Sequence, residues 1–290
     1  MIVNGIGVIG AGTMGRGIAY VSALGGYTTY LFDPQPGQVD GALVTIRRDF
    51  DKAVEKALVT REAADAAIAR IVACDKLEQA GRESDLVIEA VPENMALKIE
   101  LFQKLEPRCP GGTIFATNTS ALSITEMAAA TGRAYSVIGM HFFNPVPRMK
   151  LLEIVRGLET SDNTVETCRE VGVRMGKEIA VVNESPGFIT SRINAMIGNE
   201  AFYMLESGVA SASEIDRALK LGLNHPMGPF EMVDLVGLDV RLSILQYLHA
   251  TLGEKFRPCP LMAKYVKAGR LGRKVGRGVY SYDEKGNRIT

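Results

Sequence analysis

Three histidines occur in the 290 residues, and His141 stands where a base could work. It ends an apolar run, Val137–His141, and Phe142-Phe143-Asn144-Pro145 follows as a proline-bearing loop. Beyond that loop, Met149–Val155 alternates as a strand, which places Leu151, Glu153 and Val155 on one face. Glu153 is a lone acid among apolar neighbours. Burying it unpaired costs several kcal/mol, so the pattern predicts a partner for it. A histidine and a glutamate flanking one loop form either a base with its orienting carboxylate or a structural hydrogen bond. Spacing alone does not choose between the two. His225, in a Pro/Gly turn, and His249, on a helical run, show no acid at ligand spacing and are read as structural.

A second constellation opens the chain. The apolar run Ile2–Ile9 leads into Gly10-Ala11-Gly12-Thr13-Met14-Gly15, and a helical stretch begins at Thr13. In a GxGxxG loop the first glycine permits the tight turn and the second lets backbone approach a pyrophosphate. The third allows close packing of helix on strand, and the helix N-terminus faces the phosphates. About twenty residues on, Asp33 ends a second strand, where a carboxylate accepts from adenosine ribose hydroxyls and repels a 2′-phosphate. Strand, loop, helix and acid together indicate a dinucleotide, NAD rather than NADP.

These groups need a scaffold. Strand-like runs at 28–32, 71–74, 86–90, 113–116, 137–141, 151–155 and 179–182 alternate with helical stretches in the first part of the chain. That alternation predicts an α/β domain with a parallel sheet covered on both faces. At Asn183-Glu184-Ser185-Pro186-Gly187 the texture changes, and beyond it strand signals disappear. Amphipathic helices are expected at 188–206, 213–219 and 231–252. Residues 1–185 are thus read as the cofactor domain and 186–290 as an all-helical domain. The apolar character of that domain's first helix points to a dimer interface.

Composition excludes several classes. Lysine plus arginine equals aspartate plus glutamate, 33 against 33, so no global positive field suggests nucleic acid. The four cysteines, at 74, 109, 168 and 259, form no CxxC, which argues against a metal cage and fits a reducing compartment. No apolar run is long enough to span a membrane. The first strand begins almost at Met1, which leaves no room for a targeting peptide, and a cytoplasmic protein is expected.

The ordered set of motifs carries a resemblance. Gly10–Gly15, the Asn118-Thr119-Ser120 turn, His141–Pro145, Lys150–Val155 and Ser185-Pro186-Gly187-Phe188 occur in this order. Asn224-His225-Pro226-Met227-Gly228-Pro229 and Gly276-Arg277-Gly278-Val279-Tyr280 follow. The set resembles the short-chain L-3-hydroxyacyl-CoA dehydrogenase family over essentially the whole chain, and within it the bacterial 3-hydroxybutyryl-CoA dehydrogenases.

The resemblance implies an N-terminal Rossmann-type doubly wound sheet, a C-terminal helical domain that makes a homodimer, and NAD-dependent oxidation of a 3-hydroxyacyl-CoA. By it His141 is the general base, Glu153 its orienting partner, and Ser120 the hydroxyl at the reacting oxygen and nicotinamide. Glu93, Lys98, Asn144 and Lys274 match cofactor-side positions, and Lys56 matches a lysine that meets the CoA moiety. Unaided, Glu93 and Lys98 read as helix-start charges on a solvated face. The chain departs from the family at Ser191, where an asparagine that hydrogen-bonds the substrate is common, with Asn194 one turn later. Which of the two takes that role stays open. A non-catalytic NAD-binding sensor, and a β-hydroxyacid dehydrogenase using a lysine base on free acids, are the rival readings. Neither needs Ser120, His141 and Glu153 together.

Overall fold

The computed structural model describes residues 1–289. It divides into two compact units, Met1–Ser185 and the chain from Pro186 onward. The first contains β1 (Gly5–Ile9), α1 (Thr13–Leu24), β2 (Thr28–Phe32), α2 (Gln38–Glu55), α3 (Arg61–Ala69), β3 (Ile71–Ala73), α4 (Leu77–Arg82) and β4 (Leu86–Glu89). It continues through α5 (Met95–Leu105), β5 (Ile114–Thr117), α6 (Ile124–Ala129), β6 (Val137–Phe142), β7 (Leu151–Arg156), α7 (Asp162–Arg174) and β8 (Glu178–Asn183).

The eight strands form one sheet in the order β3-β2-β1-β4-β5-β6-β7-β8. β1, β4, β5 and β6 are buried along their whole length. Continuous apolar runs of this kind suit central strands covered on both faces. The strand order turns back between β1 and β4, so a crevice opens at the carboxyl ends of those strands. α1 and α2 are joined over the sheet by Tyr20 stacked on Phe50, ring centroids 3.8 Å apart. Thr60, Asn94, Ser123 and Ser161 each cap a helix of this unit by accepting a backbone N–H three residues on.

The sheet is not wholly parallel, as the alternation of strands and helices suggested. β6 and β7 pair antiparallel through the loop between them, and β7 then pairs parallel with β8. A short loop can join only antiparallel neighbours, whereas a parallel pair needs a crossover.

The second unit holds α8 (Thr190–Glu206), α9 (Ala212–Gly222), α10 (Pro229–Val236), α11 (Leu238–Leu252) and α12 (Pro260–Lys267) around Phe202, Phe230, Leu245, Leu248 and Phe256. The single helix expected over 231–252 is two. Gly237, at φ +105°, breaks it, and the N–H of Leu238 goes to the carbonyl of Leu271 instead. The C-terminal strap is fastened by two buried carboxylates. Asp234 accepts from the N–H groups of Val279 (2.8 Å) and Tyr280 (2.9 Å) and from the Tyr282 hydroxyl (2.8 Å). Asp216 accepts from the N–H of Phe230 (2.8 Å) and the Tyr280 hydroxyl (2.7 Å). Burial holds the Asp216 carboxyl above the usual carboxylate range, and these donors offset only part of that rise.

Asp234→Ala leaves two N–H groups and a hydroxyl without their acceptor. At about 1–3 kcal/mol per buried orphan, the variant should lose roughly 3 kcal/mol or more of unfolding free energy. A urea midpoint equal to that of the wild type would show the strap to be dispensable.

Candidate active site

Gly10 lies at φ +102° and donates its N–H to the carbonyl of Phe32 at 2.8 Å. A Cβ there would sit 2.7 Å from the carbonyl oxygen of Ala90, and one at Gly15 would sit 1.6 Å from that of Gly10. Both glycines are therefore required by the packing of β1, α1 and β4. Gly12 is different, because a Cβ there would meet no protein atom within 4 Å. The protein's own packing does not require that glycine, and the open space beside it leaves room for a pyrophosphate to approach the backbone. Among the described residues no side chain caps α1 and no acid occupies its first turn, which suits an anion at the helix start. Thr13 is exposed, and Met14 and Ala11 complete the loop. Asp33 accepts from the N–H of Ala11 (2.8 Å) and of Gln35 (2.9 Å), which ties β2 to the loop. Each carboxylate oxygen retains a second acceptor position for a ribose hydroxyl. The residues present fit a dinucleotide.

The antiparallel register sets His141 directly opposite Glu153. His141 is 6% exposed and Glu153 fully buried, with Nδ1 and Oε2 2.7 Å apart. A carboxylate on Nδ1 holds the proton there and makes Nε2 the basic nitrogen. Phe143 tilts against the imidazole at 4.3 Å between ring centroids. The loop that follows carries Asn144, exposed, and returns to β7. Lys177, unremarked in the sequence, anchors this loop from beneath, donating to the carbonyls of Val146 (2.5 Å) and Met149 (2.8 Å). Burial lowers its pKa below the ordinary lysine value.

The turn after β5 joins the same edge. The Asn118 side-chain oxygen accepts the N–H of Phe142 at 2.9 Å, next to His141. Ser120 donates its N–H (3.0 Å) and its hydroxyl (3.3 Å) to Glu93 Oε1, and Thr119 donates its hydroxyl to the same oxygen at 2.6 Å. Glu93 is exposed, but Lys98 is not. At 1% exposure its ammonium lies 2.6 Å from Glu89 and 3.4 Å from Glu93, so the solvated-face reading of Lys98 fails. Burial pushes the Glu89 carboxyl up, while Lys98, Thr117 and the N–H of Val91 draw it down. Glu89 was missed in the sequence. Its signal was the one that exposed Glu153, an acid at the end of the apolar run Leu86-Val87-Ile88.

The remaining expected residues belong to other elements. Lys56 is exposed at the end of α2. Asp49, near it in sequence, lines a small cavity beside the glycine loop with Thr13, Arg16, Tyr20 and Asn144–Pro147. Burial and the Asp49 charge push the Tyr20 hydroxyl up to about 12. In the helical unit, Ser191 and Asn194 are half-buried in the first turns of α8, and the exposed Lys274 pairs with Asp239 at 2.6 Å. His249, read as lacking an acid, meets Glu254 at 3.1 Å across the end of α11, a surface contact worth little.

Residues 5–185 match the family model of the 3-hydroxyacyl-CoA dehydrogenase NAD binding domain, and residues 187–282 that of the 3-hydroxyacyl-CoA dehydrogenase C-terminal domain. A probable 3-hydroxybutyryl-CoA dehydrogenase of Bacillus subtilis is 47% identical over 98% of this chain and 99% of its own. A 3-hydroxybutyryl-CoA dehydrogenase of Bradyrhizobium diazoefficiens is 46% identical over 97% and 96%. The crystal structure of an (S)-3-hydroxybutyryl-CoA dehydrogenase from Ralstonia eutropha superposes with a TM-score of 0.95 at 41% identity, covering 98% of this chain and all of the other. Among the described residues no helix is long and apolar enough to cross a membrane.

If Asp33 holds the ribose, as the sequence leads one to expect, Asp33→Ala removes that acceptor and the repulsion of a 2′-phosphate. Its kcat/KM for NADH should fall about 10- to 100-fold, the weight of a hydrogen bond to a charged group, while that for NADPH holds or rises. Parallel steady-state kinetics with the two cofactors measure this, and an unchanged ratio would remove Asp33 from cofactor choice.

Proposed function

Because this chain belongs to the 3-hydroxyacyl-CoA dehydrogenase family, we propose that it oxidises (S)-3-hydroxyacyl-CoA to 3-ketoacyl-CoA, reversibly, on short acyl chains such as 3-hydroxybutyryl. The observation that carries this reading is the buried His141–Glu153 pair at 2.7 Å, on the same sheet edge as the Ser120 turn. NAD, when bound, supplies the hydride acceptor. Gly10–Gly15 hold its pyrophosphate and Asp33 its ribose, with Glu93, Asn144 and Lys274 on the cofactor side and Lys98 beneath Glu93.

His141 takes the proton of the C3 hydroxyl at Nε2 as the carbon loses hydride, and Glu153 compensates the imidazolium. The Ser120 hydroxyl hydrogen-bonds the reacting oxygen. In the reverse direction the imidazolium returns the proton to the ketone oxygen. Ser191 takes the substrate contact made elsewhere in the family by asparagine, with Asn194 on the same helical face. Lys56 meets the CoA moiety.

A lysine-based mechanism finds little support. The buried lysines 98 and 177 have their ammonium groups on a carboxylate and on backbone carbonyls. A sensor that only binds NAD has no use for a carboxylate-backed imidazole. We also propose a cytoplasmic homodimer formed through the helical unit, whose surface leaves Val209, Leu221 and Leu223 more than 60% exposed.

The test is NADH oxidation against 3-ketoacyl-CoAs of increasing length, with acetoacetate as the CoA-free control. Acetoacetyl-CoA should turn over with kcat/KM in the range usual for enzymes, about 10⁴ M⁻¹s⁻¹ or above, and acetoacetate at least 100-fold more slowly. Equal rates on the free acid would overturn the acyl-CoA assignment.

A further inference from the structure

One carboxylate ties together both segments that meet at Ser120. Glu89 ends β4 and is fully buried. Its Oε1 accepts from the Lys98 ammonium at 2.6 Å and from the N–H of Val91 at 2.7 Å, and its Oε2 accepts from the Thr117 hydroxyl at 2.7 Å. Its backbone carbonyl takes the N–H of Asn118 at 2.9 Å. Val91 opens the segment that leads to Glu93. Thr117 and Asn118 open the turn that carries Ser120, and the Thr117 hydroxyl accepts the N–H of Thr119 at 3.2 Å.

Glu93 closes the ring. Its Oε1 accepts from Thr119 and Ser120, while its Oε2 lies 3.4 Å from Lys98. Lys98 therefore has two carboxylates for one ammonium. Glu89 is the nearer, which leaves Glu93 to the turn. Without the Glu89 charge, an ammonium at 1% exposure would keep a single anionic partner, and an unpaired buried charge is costly enough to draw that partner in. Glu93 would then be pulled off Ser120.

We propose that Glu89 is a positioning residue for the reaction, fixing Ser120 through Thr117 on one side and through the Lys98–Glu93 pair on the other. Glu89 itself, buried among protein donors, touches neither substrate nor cofactor. The proposal rests on the reading that Ser120 hydrogen-bonds the reacting oxygen.

The experiment measures kcat with acetoacetyl-CoA and NADH for Glu89→Gln, in the wild-type and Ser120→Ala backgrounds. Misplacing a group at the reacting atoms costs up to about 100-fold, so Glu89→Gln should lower kcat roughly 10- to 100-fold. In the Ser120→Ala background the same change should cost little more, because it acts through a hydroxyl already gone. Thr117→Val keeps every charge and loses one hydroxyl. It should show the same pattern on a smaller scale, and it carries the test if Glu89→Gln does not fold. Wild-type kcat in Glu89→Gln, or an equal loss in both backgrounds, would overturn the proposal while Ser120→Ala remains impaired. Full activity in Ser120→Ala would instead overturn the reading on which the proposal rests, and the proposal with it.

Discussion

Glu153 brings a carboxylate into the interior of an apolar strand, and the antiparallel pairing of β6 with β7 gives it His141 as a partner. A buried carboxylate without a partner would weigh against the fold by several kcal/mol. The burial of Glu153 and the orientation of the imidazole are therefore coupled through this contact. β1 to β6 run parallel, so the carboxyl ends of β1, β4, β5 and β6 share one edge of the sheet. The glycine loop, the segment from Glu89 to Glu93, the Ser120 turn and His141 lie along that edge in strand order.

The same device recurs one strand pair away. Glu89 is buried at the end of β4, its carboxyl held above the usual range by desolvation against the opposing pull of Lys98, Thr117 and a backbone N–H. Asn118 joins the two clusters through the N–H of Phe142. A chain of hydrogen bonds thus runs from the β4 carboxylate through the Ser120 turn to the residue after His141. Networks of this kind hold geometry when every member is satisfied, and a member removed is felt by its neighbours. Lys177 secures the far side by fastening the loop that carries Asn144.

Much of this was legible in the residues. The glycine loop with its preceding strand, following helix and distant Asp33 was read as one constellation, and the fold brings loop and acid together through the N–H of Ala11. A lone acid in alternating Leu151–Val155 was enough to ask for a partner, though not to choose between a catalytic and a structural one. The antiparallel turn of β7 was not read, because strands alternating with helices carry no sign of one reversed pair. Lys98 read as a surface charge because its partner, Glu89, lies nine residues back and meets it only through the packing of α5 on the sheet. The break at Gly237 hid inside a run whose apolar period continued across it, as a glycine within a helical pattern is not by itself a stop. The two carboxylates that fasten the C-terminal strap could not be read at all, since their partners in the strap lie 45 residues or more away.

The central claim is that His141 and Glu153 act as one base. Single-turnover or steady-state kcat of His141→Asn, Glu153→Gln and the double variant, each checked for intact folding, tests it most directly. His141→Asn should lose about 10²–10⁴-fold, the usual share of general acid–base catalysis, and Glu153→Gln should lose part of that. The double variant should be no slower than His141→Asn alone, because Glu153 works only through the imidazole. Losses that multiply in the double variant, or a Glu153→Gln enzyme at full rate, would contradict the account.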